Sequence, residues 1–195
     1  MHFYLSGRSP LNSTFTNEDG QIIYKIETPH SAGTRTSNIT CIVPNDIPRR
    51  NEDTSISMQN RFAYFGQVEH NLIASSTLRF GGNEFETKRY FRKEGWGLYG
   101  RHRVFAGIDG REYKWLFRSN SPKNPSNWLI ANYDSNTVVA KFHRQGLGII
   151  GKARPASLEI FEVGEHMVQE ILLTFIYIEK IVRRRNTLCS NRIYG

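Results

Sequence analysis

The chain is poor in cysteine, and that shortage is the first constraint. Two cysteines in 195 residues cannot build a disulfide framework. Cys41 lies in an apolar run and Cys189 in a polar one, so reduced thiols are expected. Long apolar runs are missing too. The most hydrophobic segment, Met167 to Val182 (MVQEILLTFIYIEKIV), is closed by Gln169 and Glu170 at one end and by Glu179 and Lys180 at the other. That is short of the roughly 20 apolar residues of a membrane-spanning helix. Met1 to Gly7 has neither a basic start nor an apolar stretch of signal-peptide length. The expectation is a cytoplasmic protein, membrane-peripheral or nuclear, and not a secreted one.

Recognisable catalytic chemistry is also scarce. No Gly-x-Ser-x-Gly elbow occurs, and His2, His30, His70, His102, His143 and His166 are scattered without zinc-motif spacing, so no metal or other cofactor is expected. Gly95 to Gly100 and Gly146 to Gly151 match a dinucleotide fingerprint, but strand signals follow both where a helix is required, so they read as turn glycines. Glu159 and Glu162 fall on opposite faces of a strand and make no acid/base pair. The sequence therefore points away from an enzyme.

Acid is in deficit as well: 26 Lys and Arg against 18 Asp and Glu, a net charge of +8. Such a surface attracts polyanions, either anionic membrane lipids or nucleic acid.

What the chain does contain is strand signal at short intervals. Ser13 to Thr16 and Gln21 to Thr28 flank the turn Asn17-Glu18-Asp19-Gly20 as a hairpin. Further strands are expected at Ile39–Val43, Phe62–Glu69, Ser76–Phe80, Glu84–Phe91, Arg103–Gly107, Tyr113–Phe117, Trp128–Tyr133, Val138–Arg144 and Ser157–Phe161. Asn45 to Gln59 has almost no apolar periodicity and reads as a mobile loop.

The Met167–Val182 segment reads as a helix, with Gly164 as its N-cap and Lys180 with Arg183 to Arg185 at its C-terminal end. At about 100° per residue, Ile171, Leu172, Leu173, Phe175, Ile176 and Ile178 point all the way round it, so it must be enclosed. The predicted fold class is mainly β: a single closed or nearly closed antiparallel β-barrel of about ten to twelve strands around a C-terminal hydrophobic α-helix. The expected division is an extension over 1–10, the barrel over 11–186 and a tail over 187–195.

Several short motifs carry a family resemblance: Asp19-Gly20 with Tyr24 to Pro29, Asp109 to Trp115, Ala140 to His143, Leu158 to Ile160, and the apolar run ending Glu179-Lys180 and Arg183. Over about Leu11 to Asn186 the chain resembles a fungal family of unknown function, abundant in basidiomycetes, with a tubby C-terminal-like fold related to tubby, LURP-one-related and scramblase domains. The sequence Tyr113-Lys114-Trp115 carries it most specifically, and Val68-Glu69-His70 departs from it where a tryptophan is expected third. The resemblance implies a barrel threaded by its C-terminal helix and brings no established activity.

The candidate anion-binding or lipid-binding residues are Lys88, Arg89, Arg92, Lys93, Arg101, Arg103, Arg183, Arg184 and Arg185, in three basic clusters. Three functions compete: binding of anionic lipid headgroups, nucleic-acid binding with Tyr90, Phe91, Trp96 and Tyr99 stacking on bases, and a carrier or enzyme with a barrel-mouth pocket at His70, His102 or His143.

Overall fold

The computed structural model describes residues 1–30, 33–43, 61–71, 74–95, 102–117, 127–131, 137–146 and 154–193, with side chains as far as Arg184. The loop expected at Asn45 to Gln59 lies outside the described residues.

Short alternating segments do form strands. They are β1 (His2–Leu5), β2 (Ser13–Thr16), β3 (Ile22–Glu27), β4 (Arg35–Ile42), β5 (Phe62–His70), β6 (Thr77–Phe80) and β7 (Asn83–Glu86). After the four-residue helix α1 (Thr87–Tyr90) come β8 (Arg92–Glu94), β9 (His102–Ala106), β10 (Glu112–Phe117), β11 (Asn127–Ala131), β12 (Val138–His143) and β13 (Ser157–Ile160). A 3₁₀ helix over Glu162–Met167 leads into α2, Val168–Ile193. Alternation of burial follows the pleat, most plainly in β10, where Tyr113, Trp115 and Phe117 face inward.

Among the described residues, all thirteen strands form one antiparallel sheet, in the order β7-β6-β5-β4-β3-β2-β1-β13-β12-β11-β10-β9-β8. The chain thus runs as two meanders joined by the pairing of β1 with β13. Residues expected as an N-terminal extension supply β1, which sits between β2 and β13 in the middle of the sheet. Its four residues carry too little pattern to announce a strand.

The sheet does not close by hydrogen bonds, and the strand count explains why. With an odd number of strands all paired antiparallel, the two edge strands β7 and β8 run in the same direction. A parallel pair needs a crossover of about a dozen residues, whereas only α1 and Phe91 separate these two. The expected strand from Glu84 to Phe91 is therefore broken by α1, and a seam stays open there.

The sheet wraps around α2. Ile171, Leu172, Leu173, Phe175, Ile176 and Ile178 are all fully buried, each with 0 % exposure, as their all-round placement requires. Phe175 packs on Trp115 of β10 and Phe142 of β12, with ring centroids 6.0 and 4.8 Å apart. On the opposite wall Gln169 donates to the Phe65 carbonyl of β5. At roughly 1.5–3 kcal/mol for each large apolar side chain removed from water, this helix contributes much of the core.

Both ends of the helix differ from expectation. Gly164 is not an N-cap but lies within the 3₁₀ helix, where a Cβ would come within 2.7 Å of Val139 Cγ1. At the other end α2 continues to Ile193. Arg183 to Arg185 therefore lie inside the helix and not at its terminus, and residues 187–193 of the expected tail are helical. The segment past Val182 is polar, so nothing in its pattern marked it as a continuation.

Candidate functional site

The basic residues of the three clusters meet different fates. On α1 and β8, Lys88, Arg89 and Lys93 are exposed. Arg89 faces Glu86 at 3.8 Å. Arg92 is held by Glu112 at 2.7 Å and Glu94 at 2.9 Å, which raises its guanidinium pKa above the ordinary value. Arg101 lies outside the described residues. Arg103 is 4 % exposed, with its guanidinium 5.7 Å from the Phe117 ring centroid, bonded to the His102 carbonyl and to Tyr177. Desolvation lowers its pKa. A buried arginine of this kind serves the core and offers no surface to a ligand. The sequence treated it as part of a basic run because its neighbours are charged, although the strand places it inward.

The third cluster gathers cations from α2, from the start of β4 and from the connections after β1 and β12, where α2 leaves the sheet. Arg183 Nη2 donates to the Arg8 carbonyl at 2.8 Å, and Arg8 Nε donates to Gln145 Oε1 at 3.0 Å. Arg144 Nη2 lies 3.5 Å from Glu179 Oε1, and Arg183 Nε lies 3.7 Å from Glu179 Oε2. Glu179 is fully buried and also accepts from Asn127 Nδ2. Burial raises its pKa, opposed by the two arginines and the Asn127 bond. Beside it Lys180 has its ammonium pKa lowered, first by burial and then by Arg35, Arg183 and Arg184. Six cations (Arg8, Arg35, Arg144, Lys180, Arg183 and Arg184) thus share this rim, and the carboxylate bonded among them is Glu179. Sequence reading found only the two arginines on the helix whose side chains are described here, Arg183 and Arg184. Arg8, Arg35 and Arg144 stand outside the three basic clusters and join the group through the fold. The side chain of Arg185 lies outside the described residues.

A buried polar chain that the sequence did not announce lies near the same rim. His70 Nε2 is 3.0 Å from Ser37 Oγ, Ser37 Oγ is 2.7 Å from Thr28 Oγ1, and Thr28 Oγ1 donates to the Leu11 carbonyl at 2.6 Å. Thr28 has spent its proton on Leu11, so Ser37 must donate to Thr28, and His70 must donate to Ser37. The serine proton therefore points away from the imidazole, which excludes a nucleophile–base pair in this arrangement. Burial, with Lys180 adding to it, lowers the His70 pKa to about 4 and keeps the ring neutral.

Around the start of α2 a second group forms. Glu170, 5 % exposed, accepts from the Tyr90 hydroxyl and from the Ile108 amide at 2.9 Å. Its pKa is raised by burial. Asp109 accepts from the Tyr113 hydroxyl at 2.7 Å and faces His166 Nε2 at 3.3 Å. These bonds tie α1 and the β9–β10 turn to the helix. His143 pairs with Glu159 at 2.8 Å on β12 and β13. The three histidines considered for a barrel-mouth pocket thus lie on β5, β9 and β12.

Of the two glycine-rich segments, only Gly95 and Gly146 lie among the described residues. Gly95 follows β8 and leads toward β9, and Gly146 bridges Arg154 on the way to β13. Among the described residues, no group of three or more His, Cys, Asp or Glu is placed to hold a metal ion. Among those residues, too, no helix is long and apolar enough to cross a membrane.

The fold and this rim define a β-rich domain of one antiparallel sheet wrapped on a C-terminal helix. The chain belongs to the family of unknown function DUF6593, whose match covers residues 8–184. No curated protein and no solved structure matches it.

Proposed function

We propose that this is a non-enzymatic, cytoplasmic domain that binds anionic lipid headgroups at a membrane surface, through the cationic rim where α2 leaves the sheet. The observation that carries the reading is the convergence of Arg8, Arg35, Arg144, Lys180, Arg183 and Arg184, with Glu179 as the carboxylate bonded to Arg144 and Arg183. Cations so crowded repel one another, and an anion placed among them relieves that repulsion. The resemblance to tubby-type domains, some of which bind phosphoinositides, points the same way.

Nucleic-acid binding is favoured less. Of the four aromatics expected to stack on bases, Phe91 is buried against Tyr177 and Tyr90 is packed on Phe105 and bonded to Glu170. Trp96 and Tyr99 lie outside the described residues. Catalysis has no support from Ser37 and His70, whose protons are committed to the buried chain.

Co-sedimentation with vesicles tests the reading. Wild type is expected to bind vesicles containing phosphoinositide in a salt-sensitive manner. Arg35→Glu combined with Arg184→Glu should weaken binding at least about tenfold, since each cation near an anionic surface contributes about 1 kcal/mol. Lys88→Glu combined with Lys93→Glu, at the seam, should have a small effect. Absence of wild-type binding, or equal losses in the two double variants, would remove the assignment to the rim.

A further inference from the structure

At the cationic rim a carboxylate already stands among the arginines, and its contacts to them are slack. Glu179 lies 3.5 Å from Arg144 Nη2 and 3.7 Å from Arg183 Nε. Charge-assisted N–H···O bonds close to about 2.7–2.9 Å. Elsewhere in this protein they do so: Arg79 reaches Glu84 and Arg92 reaches Glu112 at 2.7 Å. Among the described residues, Glu179 Oε2 and Arg144 Nε make no hydrogen bond, although both atoms are buried. Asn127 of β11 donates to the other carboxylate oxygen and holds it in place. The groups that face Glu179 are thus Asn127 from β11, Arg144 from the connection after β12, and Arg183 one turn further along α2.

Exposure separates the partners. The side chains of Arg144 and Arg183 are 29 % and 35 % exposed, whereas that of Glu179 has no exposure at all. An arginine can turn its guanidinium outward and leave its aliphatic stem in place; the buried carboxylate cannot follow. Arg183 is also tied through Nη2 to the Arg8 carbonyl at 2.8 Å, so Arg144 moves more readily. Burial raises the Glu179 pKa. A carboxylate that loses its arginines therefore takes up a proton from solvent and does not persist as an unpaired buried charge.

Given headgroup binding at this rim as proposed above, we infer that Glu179 is a built-in competitor of the headgroup phosphate for Arg144 and Arg183, and so sets the affinity of the rim. A phosphate at the rim draws the guanidiniums outward, Arg144 first, while Asn127 keeps the carboxylate where it is. The coupling is reciprocal: phosphate binding favours protonation of Glu179, and protonation of Glu179 favours phosphate binding.

Vesicle co-sedimentation of the full chain tests the inference. Glu179→Gln removes the charge and keeps an oxygen acceptor for Asn127. It should bind phosphoinositide vesicles about fivefold more tightly than wild type at neutral pH, the gain of one further cation at an anionic surface. Glu27→Gln controls for net charge: it deletes a carboxylate paired with Lys25 at the surface, and its gain should stay below about twofold. With Arg144→Gln in both proteins, the gain from Glu179→Gln should shrink to about twofold, because the two side chains act on each other. As pH falls from about 8 toward about 5, wild-type affinity should approach that of Glu179→Gln. The headgroup titrates alike for both proteins, so their ratio isolates Glu179. In wild type, soluble inositol trisphosphate should move the Glu179 carboxyl carbon resonance in the direction of protonation, a readout that holds if Glu179→Gln does not fold. Vesicle binding by wild type with no gain in Glu179→Gln, an equal gain in Glu27→Gln, a ratio unchanged by pH or a stationary carboxyl resonance overturns the inference and leaves headgroup binding standing. Absence of binding by both proteins removes the two together.

Discussion

Trp115 Nε1 donates to Thr174 Oγ1 at 3.0 Å in the middle of the core. Both residues have 0 % exposure, and Thr174 Oγ1 also reaches the Glu170 carbonyl at 2.8 Å. One hydroxyl thus joins the sheet to the helix backbone and sets the height of α2 among the strands. Thr174→Val keeps the shape and leaves the indole N–H without an acceptor. The expected loss is about 1–3 kcal/mol, read as a lowered urea midpoint with unchanged slope.

Enclosure of the helix makes a harsher prediction. Ile176 has 0 % exposure, and Ile176→Asp would bury a charge with no partner. The cost should exceed about 4 kcal/mol, enough to unfold a marginally stable domain. Calorimetry that shows a normal cooperative transition for this variant would refute enclosure of α2 by the sheet.

Close approach of helix to sheet depends on Gly66 in β5. A Cβ there would stand 2.9 Å from both Leu173 methyls and 3.0 Å from the Arg79 carbonyl. The β4–β5 register shifts between Ile39 and Thr40, where Ile39 faces Gly66, so the bulge and the glycine share one site. Gly66→Ala should lower stability by about 1–3 kcal/mol through overpacking. Gly33→Ala, which meets nothing within 4 Å, is the control in thermal denaturation.

Acid should act through His70. Its pKa falls from 6.5 to about 4 on folding, so the unfolded chain binds the proton first as pH drops. Stability from this group is complete above pH 6.5 and is lost as pH falls toward 4, by up to ~3 kcal/mol. Glu170 and Glu179, with raised pKa values, act in the opposite sense: their contribution is present below 4.5 and fades as pH rises through their folded values. Urea titrations of wild type and His70→Gln across this range separate the terms. The difference between the two proteins should shrink in the wild type's disfavour as pH falls, and a constant difference would show that His70 is not buried neutral.

Much of the architecture was legible residue by residue. The β2–β3 hairpin announced itself through Asn17 to Gly20, and β10 through its alternating Tyr113, Trp115 and Phe117. β1 and β8 were not legible, because four and three residues are too few for a period of two to stand out. The candidate site was half legible. Arg183 and Arg184 form a visible run, whereas Arg8, Arg35 and Arg144 join them only when three distant parts of the chain are brought to one rim. Arg103 was misplaced for the converse reason, since a charge run along the chain says nothing of which face each residue takes.

The amino-acid sequence alone determined that this chain makes many short strands and one helix that must be enclosed, because both follow from local periodicity and from apolar residues pointing in every direction. Tertiary structure decided the rest. Whether thirteen antiparallel strands could close depended on their count and on the short link between β7 and β8, which leaves the two edges parallel and the seam open. Which cations stand together likewise depended on how the strands are ordered, since electrostatic crowding is a property of distance in space and not of spacing along the chain.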